Sequence, residues 1–295
     1  MASYTINVND KSDNEILEAL KLDYPIKSSV HRFGDFGQFK SNKTDVYRDL
    51  PNGQAELIGT YADRNPRQNI DMLHLIQDVF EASGQKLTGV RSGGKHSIIG
   101  VGQDVSVSKK LADQHDSVSA RMIIRDSHNP NEGLGVSVEF TRLVCLNGMV
   151  QDVQNRVGVV NHQSNSVNLG NLEKVMLSVT KLINTQARIF EKMAEVQVSE
   201  IEARRILIKE FGTKSKVTDL VMAKFKGEGI GANLQTAQGT GFGLLNAVTE
   251  YYNHDVAAKA SNDLQEAQNQ RFLSILHGSA RTRIDNIQRV MVAGF

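Results

Sequence analysis

Residues 134–145 read LGVSVEFTRLVC, and this stretch decides the class of fold. From Val136 to Arg142 apolar and polar side chains alternate, with Val136, Val138 and Phe140 on one side and Ser137, Glu139 and Thr141 on the other. A period of two is that of a half-buried strand, one face on a core and the other toward water. The preceding run VSARMIIRD (residues 118–126) is equally strand-like, and Asp126-Ser-His-Asn-Pro-Asn-Glu-Gly133 between the two is turn chemistry. Residues 121–142 therefore read as a β-hairpin with a long loop. Upstream, LTGVRSGG (87–94) and HSIIGVG (96–102) add two more strand-like runs.

Outside this centre the period changes. Leu172, Val175, Met176, Val179, Leu182, Ile183 and Ile189 recur at three and four residues, which predicts one or two long helices between residues 172 and 211. The glycine-rich GEGIGANLQTAQGTGFG (227–243) reads as flexible, LLNAVTEYYNHD (244–255) as a helix, residues 262–276 as a last helix, and Arg281, Arg283 and Arg289 as a basic tail. Toward the N-terminus a short helix over residues 14–22 takes Asp13 as its N-cap. A loop follows, then the strand-like ELIGTYA (56–62) and a helix from Asn69 to about Ser83. Strands and helices are segregated, so we expect an α+β fold rather than a parallel doubly wound one. A central antiparallel, curved sheet with packed helices would occupy residues 1–160, with a mainly helical region over residues 161–295 packed on it as one unit.

At 295 residues and 40 % hydrophobic composition the chain can bury a substantial core. Its first residues, MASYTINVNDKSDNE, lack a basic segment followed by an apolar run, and no stretch approaches the roughly 18 apolar residues of a membrane helix. A cytoplasmic protein of a bacterial host is expected. The single cysteine, Cys145, cannot close an internal disulfide or build a cysteine-rich zinc site. A net charge of +1 removes any bulk electrostatic case for nucleic-acid binding, so local clusters must carry it. Residues 86–125 hold seven basic side chains against three acidic, and residues 204–226 seven against two. Each run is either a solvated face or part of a phosphate-binding surface.

Several constellations invite chemistry. Asn246, Thr249, Glu250, Asn253 and His254 fall on one side of a helix, opposite Leu244, Leu245, Val248, Tyr251 and Tyr252. Glu250 and His254, four residues apart, can share a proton or a metal, yet two ligands are too few for a metal site and no HExxH pattern supplies a third. A polar helix face, or a helix stapled to the sheet by buried hydrogen bonds, is the plainer reading. Arg91-Ser-Gly-Gly-Lys-His96 misses the phosphate-loop spacing, because Lys95 is followed by His96 and no helix continues it. A tight basic turn fits better. Cys145 in an apolar strand packs as a small hydrophobe, His162 reads as a turn or cap residue, and adjacent Ser127 and His128 make no triad. The segment RFGDFGQFKSNK (32–43) sets Phe33, Phe36 and Phe39 three residues apart among cations and glycines. That is either a buried edge or a base-stacking surface.

Three ordered blocks resemble the phage/plasmid-like proteins that carry domain of unknown function 932. IGTYADRNPRQNIDMLHLIQDVFEASG (58–84) is similar to the family's strand, turn, Asn and helix. RDSHNPNEGLGVSVEFTRLVCLNGMV (125–150) resembles its Ser-His turn and strand, the matching positions being Ser127, His128, Arg142, Val144, Cys145 and Asn147. GTGFGLLNAVTEYYNH (239–254) looks like its Gly-Thr-x-Trp-x-x-x-Asn-Ala-Val-Thr-Glu-Tyr-x-x-His block. The chain departs by having no tryptophan, so Phe242 or Leu244 stands for the family's aromatic, and the usual Trp-His-Gly opening is missing. The resemblance implies a phage, prophage or plasmid setting and supplies no activity.

From these readings we expect a mobile-element protein that binds or anneals single-stranded DNA as a homo-oligomer. Arg91, Lys95, His96, Lys109, Lys110, Arg121, Arg125, Lys224 and Lys226 would line the phosphate path, and Phe33, Phe36 and Phe39 would stack on bases. No cofactor is called for. The alternatives are an enzyme or small-ligand protein centred on Asn246, Glu250 and His254, and a structural or host-interaction protein without catalysis.

Overall fold

A computed structural model of the protein describes residues 5–33, 35–62, 67–93, 96–128, 134–144, 147–152, 160–161, 166–167, 169–213, 215–256, 274–275 and 278–293. In chain order its elements begin with β1 (Ile6–Asn7), α1 (Asp13–Ala19), β2 (Lys27–Phe33), β3 (Phe39–Asp49), β4 (Ala55–Ala62) and α2 (Asn69–Ala82). They continue with β5 (Leu87–Ser92), β6 (Ser97–Gly102), β7 (Val105–Ser106), α3 (Lys109–Asp113), β8 (Val118–Ser127), β9 (Gly135–Arg142) and β10 (Asn147–Asp152). Two short strands, β11 (Val160–Asn161) and β12 (Ser166–Val167), precede α4 (Leu169–Glu195), α5 (Glu200–Phe211), α6 (Lys216–Ala223), α7 (Gly241–Glu250) and α8 (Ser279–Ala293).

The protein is α+β. The strands anticipated between residues 87 and 142 lie in one open antiparallel sheet in the order β1-β5-β6-β8-β9-β10, with β7 also pairing with β8. The β8–β9 hairpin runs in register from Val118 opposite Arg142 to Arg125 opposite Gly135. Period-two alternation puts Val90, Ile98, Ala120, Ile124, Val138 and Phe140 on one face, all buried. Helices α2, α4 and α7 pack against the sheet, and α8 packs against α4 and α7. Helix α2 comes so close to β6 that a Cβ on Gly100 would lie 2.3 Å from Ile76 and 3.0 Å from Phe80.

The expectation of a half-buried β9 needs correction. Ser137 and Glu139 are as buried as Val138, so the sheet is covered on both faces. Alternation was present, but the second face is polar because it holds ion pairs, not because it meets water.

A second sheet, in the order β2-β3-β4, fills most of the stretch from residue 23 to 55 that the sequence left as loop. It has a small core of its own in Ile26, Val46 and Tyr61. The large core draws on residues from Ile6 to Met291 and so spans both the sheet-containing and the helical regions.

Local signals were read unevenly. Helix α1 is capped by Ser12, not Asp13: Ser12 and Glu15 bond reciprocally, Ser12 N donating to Glu15 Oε2 at 2.8 Å. Asp13 instead accepts from His74 and Gln77 of α2. Residues 172–211 hold two helices, divided before Ser199, which caps α5 by the same reciprocal arrangement with Glu202. Residues 227–243 are packed rather than loose, with Thr236, Ala237 and Thr240 buried. The basic tail is the amphipathic helix α8, burying Ala280, Ile284, Ile287 and Met291. Lys95, Cys145, His162 and nearly all of the helix anticipated over residues 262–276 lie outside the described residues.

Candidate functional site

Strand register brings Arg91, Arg121 and Arg125 to one face of the large sheet, as a basic groove would require. Their surroundings do not suit one. Arg91 is 0 % exposed and reaches Glu139 at 3.0 Å, while Arg121 Nε lies 2.6 Å from the same carboxylate. Burial opposes the charge on Glu139, but the two guanidiniums outweigh it and hold the carboxyl at about 2. Burial likewise lowers the pKa of Arg91, with Glu139 opposing. Arg91 and Arg121 are therefore internal ion-pair residues and not phosphate contacts. Arg125 is half-buried on the same face.

The remaining cations are dispersed. Lys110 pairs with Glu195 at the end of α4, and Lys226 with Glu200 at the start of α5 at 3.1 Å, so both runs meet the α4–α5 corner together with equal negative charge. Lys224 is held between Glu250 at 2.8 Å and Asp255 at 3.0 Å. Lys109 is exposed on α3. His96 is buried in a left-handed turn (φ +58°), its Nδ1 2.7 Å from the Tyr24 hydroxyl. The continuous channel expected from the two basic runs is not formed by these residues, because carboxylates from distant parts of the chain neutralise most of them.

Helix α7 is buried on every side. Asn246 Nδ2 donates to Phe242 O at 2.8 Å, Thr249 Oγ1 to Asn246 O at 3.1 Å, and Asn253 Nδ2 to Thr249 O at 2.7 Å. Glu250 accepts from Lys224 and from the backbone of Ile230. Its polar side is thus tied to its own backbone and to residues 224–230. Half-buried His254 lies in the π-helical turn that follows. Among the described residues no cluster of three or more His, Cys, Asp or Glu could hold a metal ion.

Residues of the first two recognised blocks make long-range staples. Asn69 donates to Leu22 O and Tyr24 O, and its Oδ1 is 2.9 Å from His128 Nε2. His128 N donates to His96 O. Arg142 grips buried Asp116 through two bonds, and Thr236 donates to that same carboxylate. Buried Arg67 reaches Asp126 at 2.7 Å. Beside Tyr24 and Asn69 an open cleft of about 450 Å³ runs between α1 and the start of α2.

The small sheet leaves different chemistry in the open. Pairing between β3 and β4 begins at Lys43 opposite Ala62, whereas β2 and β3 pair on past a bulge to Arg32 opposite Lys40 and Phe33 opposite Phe39. A two-stranded arm therefore extends beyond the third strand. At its end Phe33 is 51 %, Phe36 96 % and Phe39 53 % exposed. The Phe33 and Phe39 rings contact each other, 5.4 Å between centroids and tilted 30°. Arg32, Lys40 and Lys43 are exposed around them, with Asp35 in the turn. The rings are exposed, so the buried-edge reading of this segment is overturned. Sequence reasoning did not single out Arg32, Lys40 and Lys43. Their signal was the alternation of cations with phenylalanines across a Gly-containing turn, obscured because both strands are mostly polar.

Among the described residues no helix is long and apolar enough to cross a membrane. Neither the curated proteins nor the solved structures contain a match to the chain. The family described as Domain of unknown function (DUF932) matches residues 63–274, most of the chain, including the second and third blocks read above and the first from residue 63 on, and the protein belongs to that family.

Proposed function

We propose that the protein binds single-stranded nucleic acid through the β2–β3 arm, in the cytoplasm of a bacterial host and in the service of a phage or plasmid. One observation carries this: three phenylalanine rings stand exposed at the end of an arm that also presents Arg32, Lys40 and Lys43. Folding gains nothing from leaving such rings in water, whereas a base stacked on an aromatic side chain contributes about 1–3 kcal/mol regardless of sequence. The cations supply a phosphate term of modest size. With three phosphates neutralised, log K against log salt should fall with a slope of about −2 for a single strand. Affinity then rests mainly on stacking, and the near-zero net charge is no obstacle. Copies arrayed along one strand would give the homo-oligomer.

Anisotropy of labelled oligo(dT) across a salt series tests this. We expect the shallow slope above, and a loss of about 1–3 kcal/mol on Phe36→Ala. Absence of binding at low salt, or binding untouched by Phe36→Ala, rejects the proposal. Light scattering with and without the oligonucleotide reports the oligomer.

A further inference from the structure

The arm has two chemically different faces. Arg32/Lys40 and Phe33/Phe39 are successive cross-strand pairs, and successive positions on a ribbon point to opposite sides. Cations therefore stand on one face and rings on the other. The two rings are already in contact, so they leave no slot for a base between them and present a single apolar plate. Phe36 extends past this plate from the turn, where Gln38 Oε1 accepts from Phe36 N at 2.9 Å.

A plain single strand stacked on the rings reaches the Arg32/Lys40 pair only by bending over the edge of this blade. A junction between duplex and single strand can use both faces at once. Its terminal base pair offers a flat face for the rings to stack on, and the departing strand carries phosphates past the opposite side. The protruding shape matters too, because among the described residues β4 pairs with β3 only as far as Ala62 opposite Lys43, while the β2–β3 pairs continue to Phe33 opposite Phe39 and can enter a fork ahead of the small sheet.

Building on the strand-binding reading above, we infer that the arm is a wedge for duplex ends, and that the preferred ligand is a nucleic acid with a single-strand to duplex junction. The test compares three labelled DNAs with the full-length chain in one buffer: oligo(dT), a blunt-ended hairpin duplex, and the same duplex with unpaired dT tails on both strands. The tailed duplex should bind at least tenfold more tightly than either of the others. A 2-aminopurine at its last paired position should brighten on binding. Phe33→Ala/Phe39→Ala should remove the tenfold preference and the brightening, and Arg32→Glu/Lys40→Glu should remove the preference from the other face. Circular dichroism confirms that these exposed substitutions leave the fold intact. If oligo(dT) binds as well as the tailed duplex, the wedge is overturned and strand binding stands. Equal binding of blunt and tailed duplexes also overturns it. If none of the three binds, both readings fall.

Discussion

Glu139 stands between two guanidiniums on a sheet face that excludes water, and its energetics differ from those of every surface pair in the molecule. An ordinary glutamate titrates near 4.5, and this one is held at about 2. Its carboxylate form is therefore favoured by folding: the stabilisation is fully present above pH 4.5 and drains away as pH falls toward 2. The interval corresponds to about 3 kcal/mol. Replacing Glu139 by Gln removes the charge that both arginines share, and should cost about 3–5 kcal/mol, read as a lower urea midpoint at pH 7. The variant should also lose most of the acid-induced destabilisation between pH 4.5 and 2. Exposed Lys110, paired with Glu195, serves as the contrast, since Lys110→Ala should leave the urea midpoint close to that of the parent. Equal midpoints for the two variants would contradict the internal ion-pair assignment. None of this was legible in the charge counts, because Arg91 and Glu139 lie 48 residues apart.

Helix α7 shows what an element's period can and cannot report. A polar stripe of Asn246, Thr249 and Glu250 opposite an apolar one correctly marked a helix. It did not say whether the stripe faced a ligand or the rest of the protein. Residues 229–240 decide that by packing over it, with Ile230 N donating to Glu250. The approach is closest at Gly243, where a Cβ would fall 1.8 Å from Ala237 O. Gly243→Ala should therefore lower stability by about 3 kcal/mol or more, since backbone must move to admit the methyl group. Thermal unfolding followed by circular dichroism measures it, and a midpoint within a degree of the parent would refute the contact. By comparison Ser199→Ala, which removes the cap of α5, should cost about 1 kcal/mol. The arm between β2 and β3 failed to register as strand for a related reason. Most of its residues are polar or charged, so no clean alternation forms.

The whole molecule holds two cores of unequal size. The large sheet and the helices share one, while β2, β3 and β4 close over Ile26, Val46 and Tyr61. Among the described residues the small sheet meets the main body through Tyr24 to His96, the paired bonds of Gln68 with Ile26, and Asn69 donating to Tyr24 O. Burial raises the pKa of the Tyr24 hydroxyl, so it stays neutral through the physiological range. Stability should be correspondingly uneven. Amide exchange followed by mass spectrometry should find β2 and β3 deprotected well before β8 and β9, and protection of all four strands at one common rate would show that the two cores unfold together.

By itself the amino-acid sequence determined the class of fold, the central hairpin, most of the helices and the family, because each rests on the period or order of neighbouring residues. Tertiary structure alone decided which charges are available. Arg91, Arg121, Lys110, Lys224 and Lys226 meet carboxylates supplied by other elements, while Phe33, Phe36 and Phe39 meet water. Whether a side chain is covered depends on elements far away in the chain, and local periodicity carries no record of them.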